Sequence, residues 1–493
     1  MTLRRIRNTW IPFLLTVVSS FLVMGYHPGL EDDGIYLAAI KSGLNPALFP
    51  HPDAAFFRLQ LQASLFDNLM VWLVRWSHLE VAWAELLVQI FSIALILWAA
   101  LGIARRIFAS AAAQWAGVTM LGAMLTLPVS GTALFIADQH LHPRNLATGL
   151  ILMGILRILE EKPWQALPFL LCAFVLHPLM AAMGISLAAF AAWTQRQPHP
   201  AWMRSTGNSI AAAALPMGWL FDPPTESWKH ALDTRSSLHL YRWEWYEWLG
   251  ALAPLLLFWM LWRLARRKGE TPLSRLALAV FSYGVFHQTL AMLLLGPDFL
   301  IRLIPLQPMR YLHLVYVFMA LIGGGLIGQF LLQKRLWRWA LYLLVFNGGM
   351  FAAQRAMFAS TPHLELPGMA PGNDWLQAFD WIRRNTPVNA YFALDPKYLD
   401  LPGEDYHCFR ALAERSQLAD GVKDTAVVTQ IPELASTWEN QLRAQQGFRH
   451  FGLAEFEQLK AQYGVDWVLV RLAQSNGLDC AWHNDSLTVC KIP

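Results

Sequence analysis

The chain has 493 residues, of which 55% are hydrophobic and only 15% are charged. With a mean hydropathy of +0.34, this composition excludes a soluble globular protein and indicates a polytopic membrane protein. The formal net charge of +4 does not indicate a nucleic-acid partner, because the basic residues are sorted among separate loops and form no patch.

An apolar run from about residue 10 to 24 follows the basic start Arg4, Arg5 and Arg7. No small-x-small cleavage site follows it, so we expect a retained first membrane-spanning helix and not a cleaved signal sequence. Further apolar stretches predict spans of roughly 17–25 residues, or fewer inside a bundle. They lie near residues 81–104, 111–127, 145–159, 165–177, 178–194, 208–221, 248–263, 273–295, 311–331 and 337–353. The predicted fold class is a polytopic α-helical membrane protein with about eleven transmembrane helices.

Lysine and arginine collect at alternate loops between these spans. They are Arg4, Arg5, Arg7, Arg105, Arg106, Arg157, Lys162, Arg196, Arg204, Arg263, Arg266, Arg267, Lys268, Arg275, Lys334, Arg335 and Arg338. The positive-inside rule assigns these loops to the cytoplasm, so we expect the N-terminus inside. The first loop 25–80, the loops 128–144, 222–247 and 296–310, and the C-terminal region are then expected on the outer face.

The composition changes near residue 353, which divides the chain into two predicted domains. Residues 1–353 are expected to form a transmembrane domain, and residues 354–493 a small C-terminal α/β domain outside the membrane. The second domain is predicted from helices at Asn373–Asn385 and Leu453–Tyr463 and from strands at Ala390–Leu394, Trp467–Arg471 and Leu487–Ile492. It has no nucleotide-phosphate loop and no serine elbow, which argues against a soluble enzyme domain, and we expect no nucleotide cofactor.

Three consecutive acids, Glu31, Asp32 and Asp33, follow the first span directly. We expect Asp32 or Asp33 to N-cap a short interfacial helix over residues 34–41, so that the acids face a cavity enclosed by the later spans. All three are candidate catalytic residues. The alternative is a solvated anionic helix cap without chemistry.

The second outer loop contains Asp138, His140 and His142, which alternate along the chain before Pro143. In an extended segment their side chains point to one side, and a proline favours that conformation in the residue before it. We expect this set to bind a divalent cation, Mn²⁺ or Mg²⁺, although two imidazoles suit Mn²⁺ or Zn²⁺ better than Mg²⁺. The alternative is a polar loop whose histidines hydrogen-bond to the backbone.

Arginines of the outer loops are candidates for binding a phosphate group. Arg144, Arg302 and Arg310 lie near the predicted outer surface, where a guanidinium can pair with phosphate through two hydrogen bonds. Each of them can equally be a side chain that reaches from the membrane to the lipid headgroups.

Four histidines on the predicted outer side precede proline: His27, His51, His142 and His177. A His-Pro pair ends a helix, so its position near the end of a span is partly turn chemistry. The other interpretation is that these turns converge on one polar cavity, in which imidazoles meet a phosphate or a sugar.

Cys480 and Cys490 flank a segment in which Asn484 and Asp485 can form a turn between two strands. A hairpin there brings the two cysteines opposite each other, and the outer compartment is oxidising, so we expect a disulfide. Two buried reduced thiols are the alternative. Cys408 has no obvious partner.

The outer loop that opens with EDDGIYLA, the N-in first span, the number of spans and the C-terminal domain together resemble the GT-C superfamily of polyprenyl-phosphate-dependent glycosyltransferases. That superfamily includes the oligosaccharyltransferase catalytic subunit, the protein O-mannosyltransferases and the aminoarabinose transferase of lipid A. The C-terminal pattern of DWIRRNTP, ALDP, FRALAERS and QYGVDWVLV also resembles the terminal domain of bacterial membrane proteins with GT-C-like organisation.

The resemblance implies that Asp32 or Asp33 acts as base or metal ligand and that Asp138 belongs to a second acidic motif. It implies an enzyme of the bacterial inner membrane that transfers a sugar from a polyprenyl-phosphate carrier to an unidentified acceptor at the outer face. The chain departs from the family at His140, where an acid-x-acid motif has its second carboxylate. It also has no WWD-type acceptor motif, so peptide glycosylation is not implied.

Two other classes of function remain open at this point. A transporter or flippase of an anionic lipid or polyol would use the same cavity, and a non-catalytic membrane assembly protein would use the outer domain to bind a partner. The nearly charge-free spans and the lack of a visible internal repeat favour the enzyme over the transporter. The expected partners of the enzyme are a lipid-linked sugar and membrane lipids.

Overall fold

The computed structural model describes residues 3–59, 62, 64–195, 223–295, 298–401 and 406–493. The span predicted over residues 208–221 lies outside this part of the chain, as do Arg196 and Arg204. The described residues are mostly helical, with a two-stranded ribbon in the second loop and a five-stranded sheet near the C-terminus.

The helices of the N-terminal region follow the apolar segments of the sequence. They are α1 (Leu3–Met24), α2 (Asp33–Leu44), α3 (Ala55–Arg58), α4 (Phe66–Ser77), α5 (Val81–Ile107), α6 (Ala111–Ala123), α7 (Pro143–Leu159), α8 (Leu167–Leu176), α9 (Pro178–Gln195), α10 (Glu226–Asp233), α11 (Trp245–Arg267), α12 (Thr271–Leu295), α13 (Tyr311–Ile327), α14 (Leu336–Leu343) and α15 (Gly349–Met357). Strands β1 (Pro128–Val129) and β2 (Leu134–Phe135) form the ribbon. The apolar run from residue 165 to 194 divides at His177, because Pro178 has no N–H to donate and opens a new helix.

Five helical runs of the described residues are long and apolar enough to cross a membrane. They are Val81–Ile107, Pro178–Gln195, Trp245–Arg267, Thr271–Leu295 and Leu300–Leu332, and the shorter apolar helices Thr9–Met24 and Pro163–Leu176 accompany them. These helices make the chain an integral membrane protein. The larger number of about eleven spans stays a prediction, because several of the remaining helices are shorter than the bilayer core requires.

Helices α6 and α13 cross with their backbones in contact. A Cβ at Gly117 would lie 2.5 Å from the carbonyl oxygen of Leu321, and one at Gly324 would lie 2.6 Å from that of Ala116. Small residues permit such close approach, which is the usual way helices associate in a membrane. The contact brings the end of α6, which leads into the second loop, to the same side as the start of α13, which follows Arg310.

The C-terminal region forms a mixed sheet covered by helices. Its strands are β3 (Tyr391–Ala393), β4 (Ser416–Gln417), β5 (Trp467–Arg471), β6 (Asp479–His483) and β7 (Leu487–Lys491), in the order β4-β3-β5-β7-β6. Its helices are α16 (Asp374–Asn385), α17 (Phe409–Ala413), α18 (Lys423–Gln430), α19 (Ala435–Ala444) and α20 (Leu453–Tyr463). Strand β3 is parallel to β4 and β5, whereas β7 is antiparallel to β5 and β6. The predicted helices and strands lie nearly where the sequence places them.

The hairpin between β6 and β7 carries the predicted cysteine pair. Cys480 and Cys490 face each other in register and are joined by a disulfide. Asn484 makes the turn, since its Oδ1 accepts hydrogen bonds from the backbone N–H groups of Leu487 at 2.8 Å and Ser486 at 3.2 Å. Cys408 is buried and reduced.

The C-terminal domain packs directly against the first loop. A Cβ at Gly34 would lie 2.2 Å from the Sγ of Cys408, so the start of α2 and the start of α17 touch. The N–H of Cys408 donates to the carbonyl oxygen of Gly29 at 2.9 Å, and Leu30 pairs with His407 as an antiparallel bridge. Side chains of the C-terminal domain therefore lie beside the three acids of the first loop.

The orientation in the membrane gives the first testable prediction. Basic residues favour alternate loops, so a tag at residue 268, after α11, is expected on the cytoplasmic side and a C-terminal tag on the outer side. Protease or biotin-maleimide accessibility in intact cells and inverted vesicles measures both positions. Two tags reported on the same side would contradict the predicted topology.

Candidate active site

A cavity of about 1150 Å³ lies between the ends of the helices, the first and second loops and α18 of the C-terminal domain. Charged side chains from separate parts of the chain line it: Asp32, Arg144, Arg310 and Lys423. Apolar side chains line it as well: Leu59, Leu176, Leu179, Leu238, Leu295, Ile304 and Met309. The cavity therefore offers cations to an anion and apolar surface to a hydrocarbon chain.

The structure separates the roles of the adjacent acids Asp32 and Asp33. The side chain of Asp32 is 37% exposed and lines the cavity, whereas Asp33 is 1% exposed and faces the protein interior. The expected side-chain cap on α2 is wrong, because Asp32 lies at the N-cap position but makes no capping hydrogen bond. Asp33 instead accepts a hydrogen bond from the N–H of Gly29 at 2.6 Å, and burial raises the pKa of Asp33 to about 7.

Asp32 lies between two donors from different domains. The Nζ of Lys423 lies 3.1 Å from Asp32 Oδ1, and the Nε2 of His142 lies 3.7 Å from Asp32 Oδ2. Burial opposes ionisation, but Lys423 and His142 outweigh it and hold the pKa of Asp32 well below its usual value. Asp32 is therefore ionised at neutral pH and offers a carboxylate to the cavity.

Lys423 is the site residue that sequence reasoning missed. It begins α18, and its ammonium also pairs with Glu31, which lines the cavity as well. Burial opposes the positive charge, but Asp32 and Glu31 raise the pKa of Lys423 above its usual value. In the sequence it is one lysine of a soluble domain, and no motif marks it.

The second loop is held in place by two buried amides. Gln89 of α5 donates to the carbonyl oxygen of Asp138 at 2.8 Å, and the Oδ1 of Asn145 accepts from the N–H of Asp138 at 3.1 Å. The Nδ2 of Asn145 also donates to the carbonyl oxygen of His140 at 3.3 Å. These bonds satisfy the buried backbone of the loop and fix where its side chains point.

His142 is extended, with φ −134° and ψ 137°, as expected for a residue before proline. Its Nδ1 accepts a hydrogen bond from the N–H of Arg144 at 2.9 Å and so caps α7. Burial lowers the pKa of His142, so the imidazole is neutral with its proton on Nε2, which is the nitrogen nearest Asp32.

Asp138 pairs with Arg144. The Nη2 of Arg144 lies 2.5 Å from Asp138 Oδ1 and 2.6 Å from Asp138 Oδ2, and both side chains are buried. Burial opposes ionisation of Asp138, but the guanidinium of Arg144 holds the pKa of Asp138 below its usual value. The pair is therefore ionised and compensates its own charge.

Several polar atoms of the second loop have no hydrogen-bond partner in the described part of the chain. They are the Nε and Nη1 of Arg144 and both ring nitrogens of His140. Burial lowers the pKa of His140 to about 3, so its ring is neutral at pH 7. Buried donors without a partner are rare in folded proteins, because each costs free energy unless a ligand or water satisfies it.

The predicted metal set fits an ion only in part. His140 has free ring nitrogens, but both oxygens of Asp138 accept from Arg144, and Nδ1 of His142 caps α7. Among the described residues, Asp138, His140 and His142 are not a group whose ligand atoms lie within 4.8 Å of one another. The three side chains therefore do not enclose a metal ion in this arrangement.

The three predicted phosphate-binding arginines separate in the structure. Arg144 and Arg310 line the cavity, and Arg310 forms no ion pair with any residue in the described part of the chain. Arg302 does not line the cavity, because its guanidinium lies over the ring of Trp228 at 5.5 Å from the centroid.

Of the four histidines that precede proline, His142 and His177 line the cavity, and His27 and His51 do not.

No protein-family model matches the chain, and no curated protein matches it in sequence. Among solved structures, the chain is similar to the archaeal oligosaccharyltransferase AglB from Archaeoglobus fulgidus, in complex with an inhibitory peptide and a dolichol-phosphate. The two are 10% identical, the match covers 95% of this chain and 70% of that chain, and the TM-score is 0.45. Oligosaccharyltransferases belong to the superfamily that the sequence resembles, but a likeness at this level transfers no function.

Proposed function

We propose that the chain is a membrane glycosyltransferase that moves a sugar from a lipid phosphate carrier to an acceptor bound in the cavity. One observation carries the proposal: the carboxylate of Asp32 and the guanidinium of Arg144 line the same cavity, and the Nε and Nη1 of Arg144 have no partner in the described residues. A transfer of this kind needs a base to receive the proton of the attacking group and cations to stabilise the charge of the leaving phosphate.

The leaving group would lie against the arginines. Arg144 already neutralises Asp138 through Nη2, so its Nε and Nη1 are the groups available to phosphate oxygens. Arg310 adds a positive charge that no carboxylate of the described residues pairs with. As the bond between the anomeric carbon and the phosphate oxygen breaks, the electron pair leaves with the phosphate, and these cations stabilise the charge.

The acceptor would lie against Asp32. The ionised carboxylate accepts a hydrogen bond from the attacking O–H or N–H and receives its proton as the new bond to the anomeric carbon forms. Lys423 holds the carboxylate through a hydrogen bond at 3.1 Å, and the Nε2 of His142 lies 3.7 Å from its other oxygen. Glu31 also pairs with Lys423 and so contributes to the position of its ammonium.

The lipid chain of the donor would lie against the apolar side chains that line the cavity. Leu176, Leu179 and Leu295 lie at the ends of helices that are apolar enough for a membrane, so hydrocarbon continues from the cavity towards the bilayer. The donor is already activated by its phosphate, so the reaction needs no nucleotide. The cavity lies on the outer face in this proposal, because the positive-inside rule places the first and second loops there.

Bound lipid tests the proposal directly. Mass spectrometry of lipids extracted from the purified full-length protein is expected to find a polyprenyl phosphate or its glycosylated form. Arg310→Met should retain roughly ten- to a hundredfold less of it, since hydrogen bonds to charged groups contribute about 1.5–3 kcal/mol. Arg302→Met is the matched control and should retain the wild-type amount. Equal retention by both variants, or no such lipid in the wild type, would contradict the proposal.

Lys423 should set the acid limit of activity. Its removal takes a positive charge from Asp32, so the pKa of Asp32 rises towards its usual value. Activity is lost as pH falls through that pKa, and the acid limb of kcat/KM should therefore move to higher pH in Lys423→Met, by about one unit or more. Lys397→Met, which removes an exposed lysine of the same domain, should leave the profile unchanged. If the acid limb does not move in Lys423→Met, Lys423 does not control the pKa of the group that limits activity at low pH.

A further inference from the structure

A second group of ionisable side chains lies behind the acids of the first loop, outside the cavity. The Nδ1 of His27 lies 2.5 Å from Glu365 Oε1, and the Nε2 of His407 lies 3.0 Å from Glu365 Oε2. One ligand atom from each of the three residues lies within 4.8 Å of the others. No other such group of His, Cys, Asp or Glu occurs in the part of the chain that the structure describes.

No lysine or arginine of the described residues pairs with the carboxylate of this group. The Glu365 side chain is 14% exposed, and the two imidazoles are 0% and 1% exposed. Within the described residues, the ion-pair partners of Glu365 are these two histidines. A buried carboxylate is stabilised by a cation or a metal ion, and imidazole nitrogens and a carboxylate oxygen are ligands that a metal ion accepts.

We infer that His27, Glu365 and His407 form a binding site for a divalent transition metal ion of the Zn²⁺ type. Two imidazoles and one carboxylate are a ligand set that Zn²⁺ accepts, and a tetrahedral ion with bonds of about 2.0–2.2 Å separates neighbouring ligand atoms by about 3.3 Å. The Glu365 carboxylate has to move from His27 by less than about 1 Å to reach that geometry. The fourth position is left for a water molecule.

The ligands come from three segments that meet only in the folded chain. His27 follows α1, Glu365 lies in the connector between α15 and α16, and His407 precedes α17. Backbone hydrogen bonds already join these segments: the N–H of Glu365 donates to the carbonyl oxygen of Tyr26 at 2.9 Å, and that of Tyr26 to His363 at 3.0 Å. An ion here holds the first loop, the connector and the C-terminal domain together.

Holding these segments together has a consequence for the cavity. The segment between His27 and Asp32 is short, and Leu30 within it pairs with His407 as a bridge. The C-terminal domain that carries His407 also carries Lys423, which contacts Asp32. The ion therefore fixes the position of Asp32 relative to Lys423 from behind, as a structural ion that does not touch the substrate.

Metal content of the full-length protein tests the site. Protein purified in detergent, loaded with Zn²⁺ and passed through a desalting column is expected to hold one equivalent more zinc in the wild type than in His27→Ala or Glu365→Gln, measured by elemental mass spectrometry. His51→Ala is the matched control, because His51 also joins the first loop to the C-terminal domain, through the carbonyl oxygen of Asn389 at 2.8 Å. It should keep the wild-type zinc content.

A second variant separates this site from the cavity. His140→Ala removes a cavity imidazole and should keep the ion held by His27 and Glu365, whatever it does to activity. Co²⁺ provides a second readout, since protein with Co²⁺ bound to these ligands should show visible absorption that Glu365→Gln lacks and His140→Ala keeps. Zinc content equal in wild type and His27→Ala, or zinc lost from His140→Ala but not from His27→Ala, would overturn the inference.

Discussion

Replacing Asp32 by Asn is expected to reduce glycosyl transfer by about a hundred- to ten-thousandfold, the usual contribution of a positioned acid or base. The amide keeps the size of the side chain and can still accept a hydrogen bond, but it neither receives the proton of the acceptor nor pairs with Lys423. Initial rates with a lipid-linked sugar donor, at equal expression and equal thermal stability, measure the effect.

Asp33→Asn is the matched control for this experiment. Asp33 faces the interior and accepts from the N–H of Gly29 at 2.6 Å, and an amide oxygen can accept the same bond. Activity should stay within a few-fold of the wild type. Burial raises the pKa of Asp33 to about 7, so the folded state holds a proton that the unfolded chain has lost above about pH 4. The wild type therefore loses stability between those values as pH rises, and Asp33→Asn should not.

The pair of variants also separates the classes of function. A transporter or flippase would keep binding its lipid in Asp32→Asn and lose only movement, and an assembly protein would show no dependence of product on either acid. Loss of product in Asp33→Asn with normal activity in Asp32→Asn would contradict the assignment of roles made from the cavity.

The choice between Asp32 and Asp33 shows what the sequence could not supply. Three acids after an apolar span predict a carboxylate that faces a cavity, and Glu31 and Asp32 line one. Which of them faces the cavity depends on the backbone of Glu31, whose φ of 54° turns the chain before α2 begins. No side-chain pattern encodes that turn, because left-handed backbone is unusual for glutamate.

Lys423 could not be predicted for a different reason. It lies 391 residues from Asp32 along the chain, and the two meet only because the C-terminal domain docks on the first loop. Local patterns predicted the helix Leu453–Tyr463 and the strand Trp467–Arg471 to the residue, since amphipathic periodicity and the glycines at the ends of that helix are local signals. Contacts between domains leave no such periodic signal.

The pattern of the second loop is compatible with two kinds of site, a metal site and an ion pair. Asp138, His140 and His142 alternate before a proline, as they would in a metal site. The same proline opens α7, however, and the first turn of that helix directs Arg144 back to Asp138. A carboxylate can be satisfied by an arginine as well as by a metal ion, and the sequence does not decide which cation it receives.

Arg410 is expected to be the residue whose loss most weakens the docking of the C-terminal domain. Its Nε donates to Asp53 of the first loop at 2.8 Å, and its Nη1 and Nη2 donate to Asp424 at 2.7 and 2.9 Å. Asp53 and Asp424 are 0% and 1% exposed. Arg410→Met would leave two carboxylates buried without their cation, and breaking a buried ion pair in this way costs about 3–5 kcal/mol.

Thermal unfolding and limited proteolysis of the full-length protein in detergent measure this effect. Arg410→Met should unfold at a lower temperature and release the C-terminal domain to protease, and it should lose activity because Lys423 no longer reaches Asp32. Arg443→Met is the matched control, since Arg443 is 69% exposed in its pair with Glu439 and should cost under about 1 kcal/mol. Adding Asp53→Asn and Asp424→Asn to Arg410→Met removes the buried negative charges that have lost their cation, and it should restore part of the stability. If Arg410→Met instead behaves like Arg443→Met in both stability and activity, the buried network does not hold the two domains together.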